Sequence, residues 1–104
     1  VGVEVDWSHR ADYMHQRHGV PVEQVTEALA DSRAIVADPD PTSRSGTSAR
    51  VIGYSESAGA VLVVILVHRD DRPGCWWGAN GWRANSTDQR TYTEQNAETE
   101  TGDE

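Results

Sequence analysis

Lysine and phenylalanine are both missing from this sequence, which has one cysteine, one methionine and no base after Arg90. A lone cysteine, Cys75, cannot form an internal disulfide, so a reducing compartment is the expectation, with the thiol as a small buried hydrophobe. No apolar run reaches the ~20 residues of a membrane-spanning helix; the longest, Ala60 to Val67, has the length of a strand. No basic segment precedes an apolar one near Val1, so no signal peptide is expected, and a cytoplasmic location follows. With lysine absent, all nine bases are arginine. Arginine suits bidentate recognition of phosphate or carboxylate, although a GC-rich genome gives the same bias.

The 104 residues fit one domain. The formal charge of −8 argues against bare phosphate binding, but it is unevenly placed. Glu94, Glu98, Glu100, Asp103 and Glu104 are five of the 17 acids, which leaves 12 acids against nine bases in residues 1–93. A domain over residues 1–95 with an acidic, flexible tail over 96–104 is expected, the tail being too polar to order itself alone.

Val1, Val3 and Val5 alternate with Gly2, Glu4 and Asp6, the period of a short half-buried strand. Ser8 is placed to cap a helix over His9 to Arg17, and Gly19 to end it in the left-handed conformation. Pro21 suits the opening of a second helix, in which Val22, Val25, Ala28 and Leu29 repeat through Ala30. Strands follow over Ala34 to Ala37, Ala49 to Tyr54, Ala60 to His68 and Cys75 to Asn80. Between them lie the Asp38-Pro39-Asp40-Pro41 stop, a polar loop from Thr42 to Ser48, and turns at Ser55 to Gly59 and Asp70 to Gly74. Thr87 or Ser86 caps a final helix through about Gln95. The expected fold is α+β, with two N-terminal helices packed on a four-stranded antiparallel sheet and a C-terminal helix closing it.

In that order the chain resembles the BrnT-like toxins of bacterial type II toxin–antitoxin systems. Arg17-His18-Gly19-Val20 stands for their helix-ending Lys-His-Gly-Val stretch, and Ile35-Val36-Ala37-Asp38-Pro39 for their strand and Asp-Pro turn. Ile52-Gly53 matches the end of the next strand. Gly81-Trp82-Arg83-Ala84 and Asp88-Gln89-Arg90-Thr91-Tyr92 take the places of Ala-Arg-x-Ala and Glu-Arg-x-x-Tyr. The match covers about residues 3–94. Trp82 stands where the family has arginine, with Arg83 one place later, and the body is acidic where the family is basic. The resemblance implies a RelE-like fold and metal-independent cleavage of mRNA. It also implies a cognate ribbon-helix-helix antitoxin, with DNA reached only through that partner. The other reading it leaves open is a toxin-fold protein without nuclease activity, acting by binding a partner.

Metal-free RNA cleavage needs a group to activate the 2′-hydroxyl, cations for the developing charge and an acid for the leaving oxygen. The catalytic candidates are Arg83, His68, Tyr92 and Arg50. Each has a plainer role open to it: a salt bridge of Arg83 to Asp88, a strand-end His68 bonded to backbone, Tyr92 packed on the sheet, Arg50 at a solvated edge. Trp82, Trp77, Asn80, Asn85, Arg69 and Arg90 are the binding candidates, for RNA or for a partner protein. Trp76 and Trp77 point to opposite sheet faces, so one is core and the other is free to join Trp82. Asp12, His15 and His18 recur every third residue, which spreads them too widely round a helix to converge; no metal site and no cofactor are expected.

Overall fold

A computed structural model describes residues 4–41, 46–69, 71 and 74–102, with backbone alone from 98. The chain runs β1 (Glu4–Asp6), α1 (Ala11–His18), α2 (Val22–Ala30), β2 (Ile35–Ala37), β3 (Ser48–Ser55), β4 (Ala60–His68), β5 (Cys75–Arg83) and α3 (Ser86–Gly102). One sheet of five strands has the order β1-β5-β4-β3-β2. The α+β class holds, and β2 to β5 form the expected antiparallel meander. The sheet is nevertheless mixed rather than four-stranded and antiparallel, because β1 adds at its edge, parallel to β5. A three-residue strand pairing some 70 residues away carries no local signal of its partner. Val1 and Val3 of that strand, residues 42–45 of the polar loop, and Asp70, Arg72 and Pro73 lie outside the described residues. No helix among the described residues is long and apolar enough to cross a membrane.

The helix ends differ from expectation in three places. Ser8 is not a cap: its amide donates to Asp6 Oδ1 at 2.8 Å, and the helix opens two residues later, with the Ala11 amide on the Trp7 carbonyl. Asn85, rather than Ser86 or Thr87, caps α3 by accepting from the Asp88 amide at 2.9 Å. α3 also runs on past Gln95 to Gly102. No glycine or proline interrupts it before then, and Asn96 Nδ2 ties its middle to the Tyr92 carbonyl at 2.7 Å. At the end of α1 the expected stop holds, with Gly19 at φ 68° donating to the His15 carbonyl.

Two apolar clusters lie on opposite faces of the sheet. Trp7, Met14, Val20, Val25 and Ala28 pack on Val51, Leu62, Val64 and Leu66 on the α1–α2 side. Ile52, Val63 and Ala84, with Trp82 and Tyr92 against them, form the α3 side. Each large buried side chain here stabilises the fold by about 1.5–3 kcal/mol. Small residues on β5 let the helices close in. A Cβ on Gly78 would meet the Trp7 ring, and one on Gly81 would sit 2.9 Å from both Met14 Sδ and Val25 Cγ1.

A bulge decides which β5 side chains share a face. Leu66 pairs with Gly78 but Ile65 with Asn80, so Ala79 is left without a partner. Before the bulge Trp76 joins the α1–α2 core; after it Gly81 does, and Trp82 faces α3. Trp77, Asn80 and Trp82 therefore lie on one face, although an uninterrupted strand would set Trp77 and Trp82 on opposite ones.

Candidate functional site at the open edge of β5

The contact of Gly81 with Met14 and Val25 pins the second half of α1 against β5. α1 then stops at Gly19, and its last turn, basic at His15, Arg17 and His18, is left beside the strand. The result is an open hollow of about 670 Å³ lined by Arg17, His18, Asn80, Trp82 and Arg83. The His18 and Trp82 rings face each other across it, 5.9 Å between centroids. No carboxylate is among the lining residues, and neither Arg17 nor Arg83 forms an ion pair with a described residue. On an acidic chain, two guanidiniums with no ion-pair partner among the described residues, an imidazole and an indole in one concavity have the chemistry to suit an anion attached to a flat ring.

The other catalytic candidates are elsewhere. His68 faces Trp76 at the far end of the β4–β5 ribbon, whereas Arg83 faces Leu62. Six residues of strand separate those positions, roughly 20 Å at about 3.3 Å per residue. There His68 Nε2 lies 3.1 Å from Asp38 Oδ1, and its ring stacks 3.9 Å from that of Trp76. Arg50 is held between Asp40 and Asp88, 3.6 Å from each, which links the start of α3 to the segment before β3. Asp88 is thus the partner of Arg50, and the salt bridge considered for Arg83 does not form.

Tyr92 is engaged as well. Its hydroxyl donates to Asp31 Oδ2 at 2.5 Å, and the same oxygen accepts the Tyr54 amide at 2.9 Å. Burial, followed by the hydrogen bond to Asp31, pushes the phenol up to about 12. For Asp31 burial acts to raise the pKa, but the hydrogen bonds from Tyr92 and from the Tyr54 and Arg33 amides outweigh it and hold the carboxyl below its ordinary value. A phenol so held is a poor proton donor near neutral pH and a good clasp between α2, β3 and α3.

Among the binding candidates, Trp82 and Asn80 are in the hollow and the rest are not. Arg69 donates to both oxygens of Asp71, at 3.1 and 2.7 Å, contacts Asp6 at 3.3 Å, and lies 3.9 Å over the Trp77 ring. Its hydrogen bonds to Asp71 raise its pKa further still. Trp77 is bracketed by Arg69 and His9. Asn85 serves as the α3 cap, and Arg90 is exposed on that helix. Cys75 is half-buried rather than apolar, its thiol donating to Glu4 at 2.9 Å.

Arg17 and His18 are the two lining residues that were not among the expected catalytic or binding residues, although both belong to the stretch that bears the resemblance. Their signal was a basic last helical turn directly before a left-handed glycine, close in space to Arg83 only after α1 has packed on Gly81. No protein-family model and no curated protein matches the chain.

Proposed function

We propose that this protein is the toxin of a type II toxin–antitoxin pair, a RelE-like endoribonuclease that cleaves mRNA in the bacterial cytoplasm. One observation carries the reading. Arg17-His18 and Trp82-Arg83, two of the stretches that bear the resemblance, meet in one hollow where both guanidiniums lack a carboxylate partner among the described residues. In this reading Arg17 and Arg83 hold the scissile phosphate and stabilise the charge that develops on it. His18 exchanges the proton between the attacking 2′-hydroxyl and the leaving 5′-oxygen. In this reading side chains supply every service the step needs, and it uses neither a metal nor a cofactor. The partner is a ribbon-helix-helix antitoxin, through which alone the pair touches DNA.

A second reading has its own support. Trp82 occupies the place of the family's arginine, and Tyr92 and His68 are tied to Asp31 and Asp38. A partner-binding protein without nuclease activity is compatible with those facts. Induced expression separates the two. The first reading expects growth arrest and transcript loss, relieved by Arg17→Ala, His18→Ala or Arg83→Ala and unaffected by His68→Ala. Absence of cleavage by pure, partner-free protein at low salt, over several RNA substrates, would decide for the second.

A further inference from the structure

β1 pairs only with Cys75, Trp76 and Trp77, so beyond them β5 has β4 as its one strand neighbour among the described residues. The Ala84 amide donates to the Val61 carbonyl at 2.9 Å, while Leu62 faces Arg83, Val63 faces Trp82 and Val64 faces Gly81. In an antiparallel ladder, pairs that exchange hydrogen bonds alternate with pairs that do not. Arg83 and Gly81 therefore belong to non-bonded pairs, and their N–H and C=O groups point away from β4. An independent contact agrees: the Gly81 amide donates to Asn80 Oδ1 at 2.9 Å instead of to β4. Just before it, the Ala79 carbonyl accepts from Arg10 Nε at 3.0 Å.

What is left open among the described residues is an ordered set: the Gly81 carbonyl, then the Arg83 amide, then the Arg83 carbonyl. That is acceptor, donor, acceptor along one edge. Adenine complements it, with the N6 amino group as donor, N1 as acceptor and the weakly acidic C2–H last. Guanine, cytosine and uracil each set a like group against at least one position. A base lying in the continuation of the sheet plane would have Trp82 on its α3 side and Arg83 with the end of α1 on the other. A docking peptide strand would also need the Ala79 carbonyl and the Gly81 amide, which Arg10 and Asn80 already occupy.

We infer that the β5 edge at Gly81–Arg83 binds one unpaired adenine of an RNA strand through its Watson–Crick edge, with the adjoining phosphate on Arg17. The inference rests on the RNA reading above and sharpens it. A paired adenine offers the same edge to uracil, so the site takes single-stranded RNA and rejects the duplex.

The test is a titration of ¹⁵N-labelled protein followed by NMR, with 5′-AMP, N6,N6-dimethyl-AMP, GMP and ribose 5-phosphate. The dimethyl compound keeps ring and phosphate but has no N6 donor. AMP is expected to move the Arg83 amide downfield. Dimethyl-AMP and GMP are expected to bind about tenfold more weakly or worse, because polar groups that the base covers go unpaired. Ribose 5-phosphate should move the Arg17 Nε signal and leave the Arg83 amide in place. Arg17→Ala should weaken AMP while keeping its advantage over dimethyl-AMP. Equal affinity for AMP and dimethyl-AMP would overturn the inference. So would an extended Glu-Val repeat peptide that shifts the Arg83 amide where AMP does not. RNA cleavage measured on the same protein keeps the two ideas apart: discrimination without cleavage removes the nuclease alone, and cleavage without discrimination removes the adenine site alone.

Discussion

The Tyr92 hydroxyl donates to Asp31 Oδ2 at 2.5 Å, joining the middle of α3 to the residue that ends α2. Asp31 takes two further hydrogen bonds, from the amides of Tyr54 and Arg33. Tyr92→Phe removes one donor from a charged acceptor, and hydrogen bonds to charged groups contribute about 1.5–3 kcal/mol. Urea denaturation should show a loss of that order. If the protein cleaves RNA as proposed, the folded variant should cleave as the parent does, and a cleavage defect at unchanged stability would restore Tyr92 to the catalytic set.

The same clasp sets a pH dependence at both ends. Asp31 lies below its ordinary 3.8 in the folded chain, so the unfolded chain binds the proton more readily. Its contribution is complete above about pH 4 and is lost as pH falls through the lowered pKa. Tyr92 is raised from 10.0 to about 12, so here the folded chain holds the proton longer. Its contribution is complete below about pH 10 and is lost as pH rises toward 12. Unfolding midpoints taken across pH should show both limbs, and Tyr92→Phe should flatten the alkaline one.

The local code was legible where one side chain or one turn decided the outcome. Gly19 stopped α1, Val22–Ala30 formed α2, and the opposed directions of Trp76 and Trp77 followed from strand geometry alone. Long-range relations were not legible. β1 lies parallel to β5, and Trp7 just after it seats over Gly78, a contact between distant segments. The bulge at Ala79 reassigns the face of every residue after it, and no hydrophobic period announces it. The candidate site suffered from the same blindness. Arginines look alike in sequence, yet among the described residues Arg50 and Arg69 are neutralised by carboxylates while Arg17 and Arg83 are not. His68, conspicuous at a strand end, belongs to Asp38 and Trp76.

Gly53 gives a direct check on the α2 packing. It faces Leu62 on β4, and a Cβ there would run into the carbonyl of Ala28 in α2. That obstacle is backbone and cannot swing aside as a side chain could. Gly53→Ala should therefore cost about 1–3 kcal/mol or more, as overpacking does. Adding Ala28→Gly should not rescue it, since the carbonyl remains. A rescue in thermal melts would mean that the Ala28 methyl, rather than the helix backbone, sets the spacing.

If RNA binds in the hollow as proposed, the charges there should be visible in the salt dependence of that binding. Each phosphate contact on a single strand adds about 0.7 to the slope of log affinity against log salt. Arg17→Ala and Arg83→Ala should each lower that slope by about this amount. Both guanidiniums lack a carboxylate partner among the described residues, so folding stability should stay within about 0.5 kcal/mol of the parent. Arg50→Ala should behave in the opposite way. It removes the shared partner of Asp40, which is 5% exposed, and of Asp88, so stability falls while the salt slope holds. His68→Ala should change neither the slope nor cleavage. If the slope falls for Arg50 and His68 instead, the RNA lies along the other end of the sheet and the hollow at β5 is not its site.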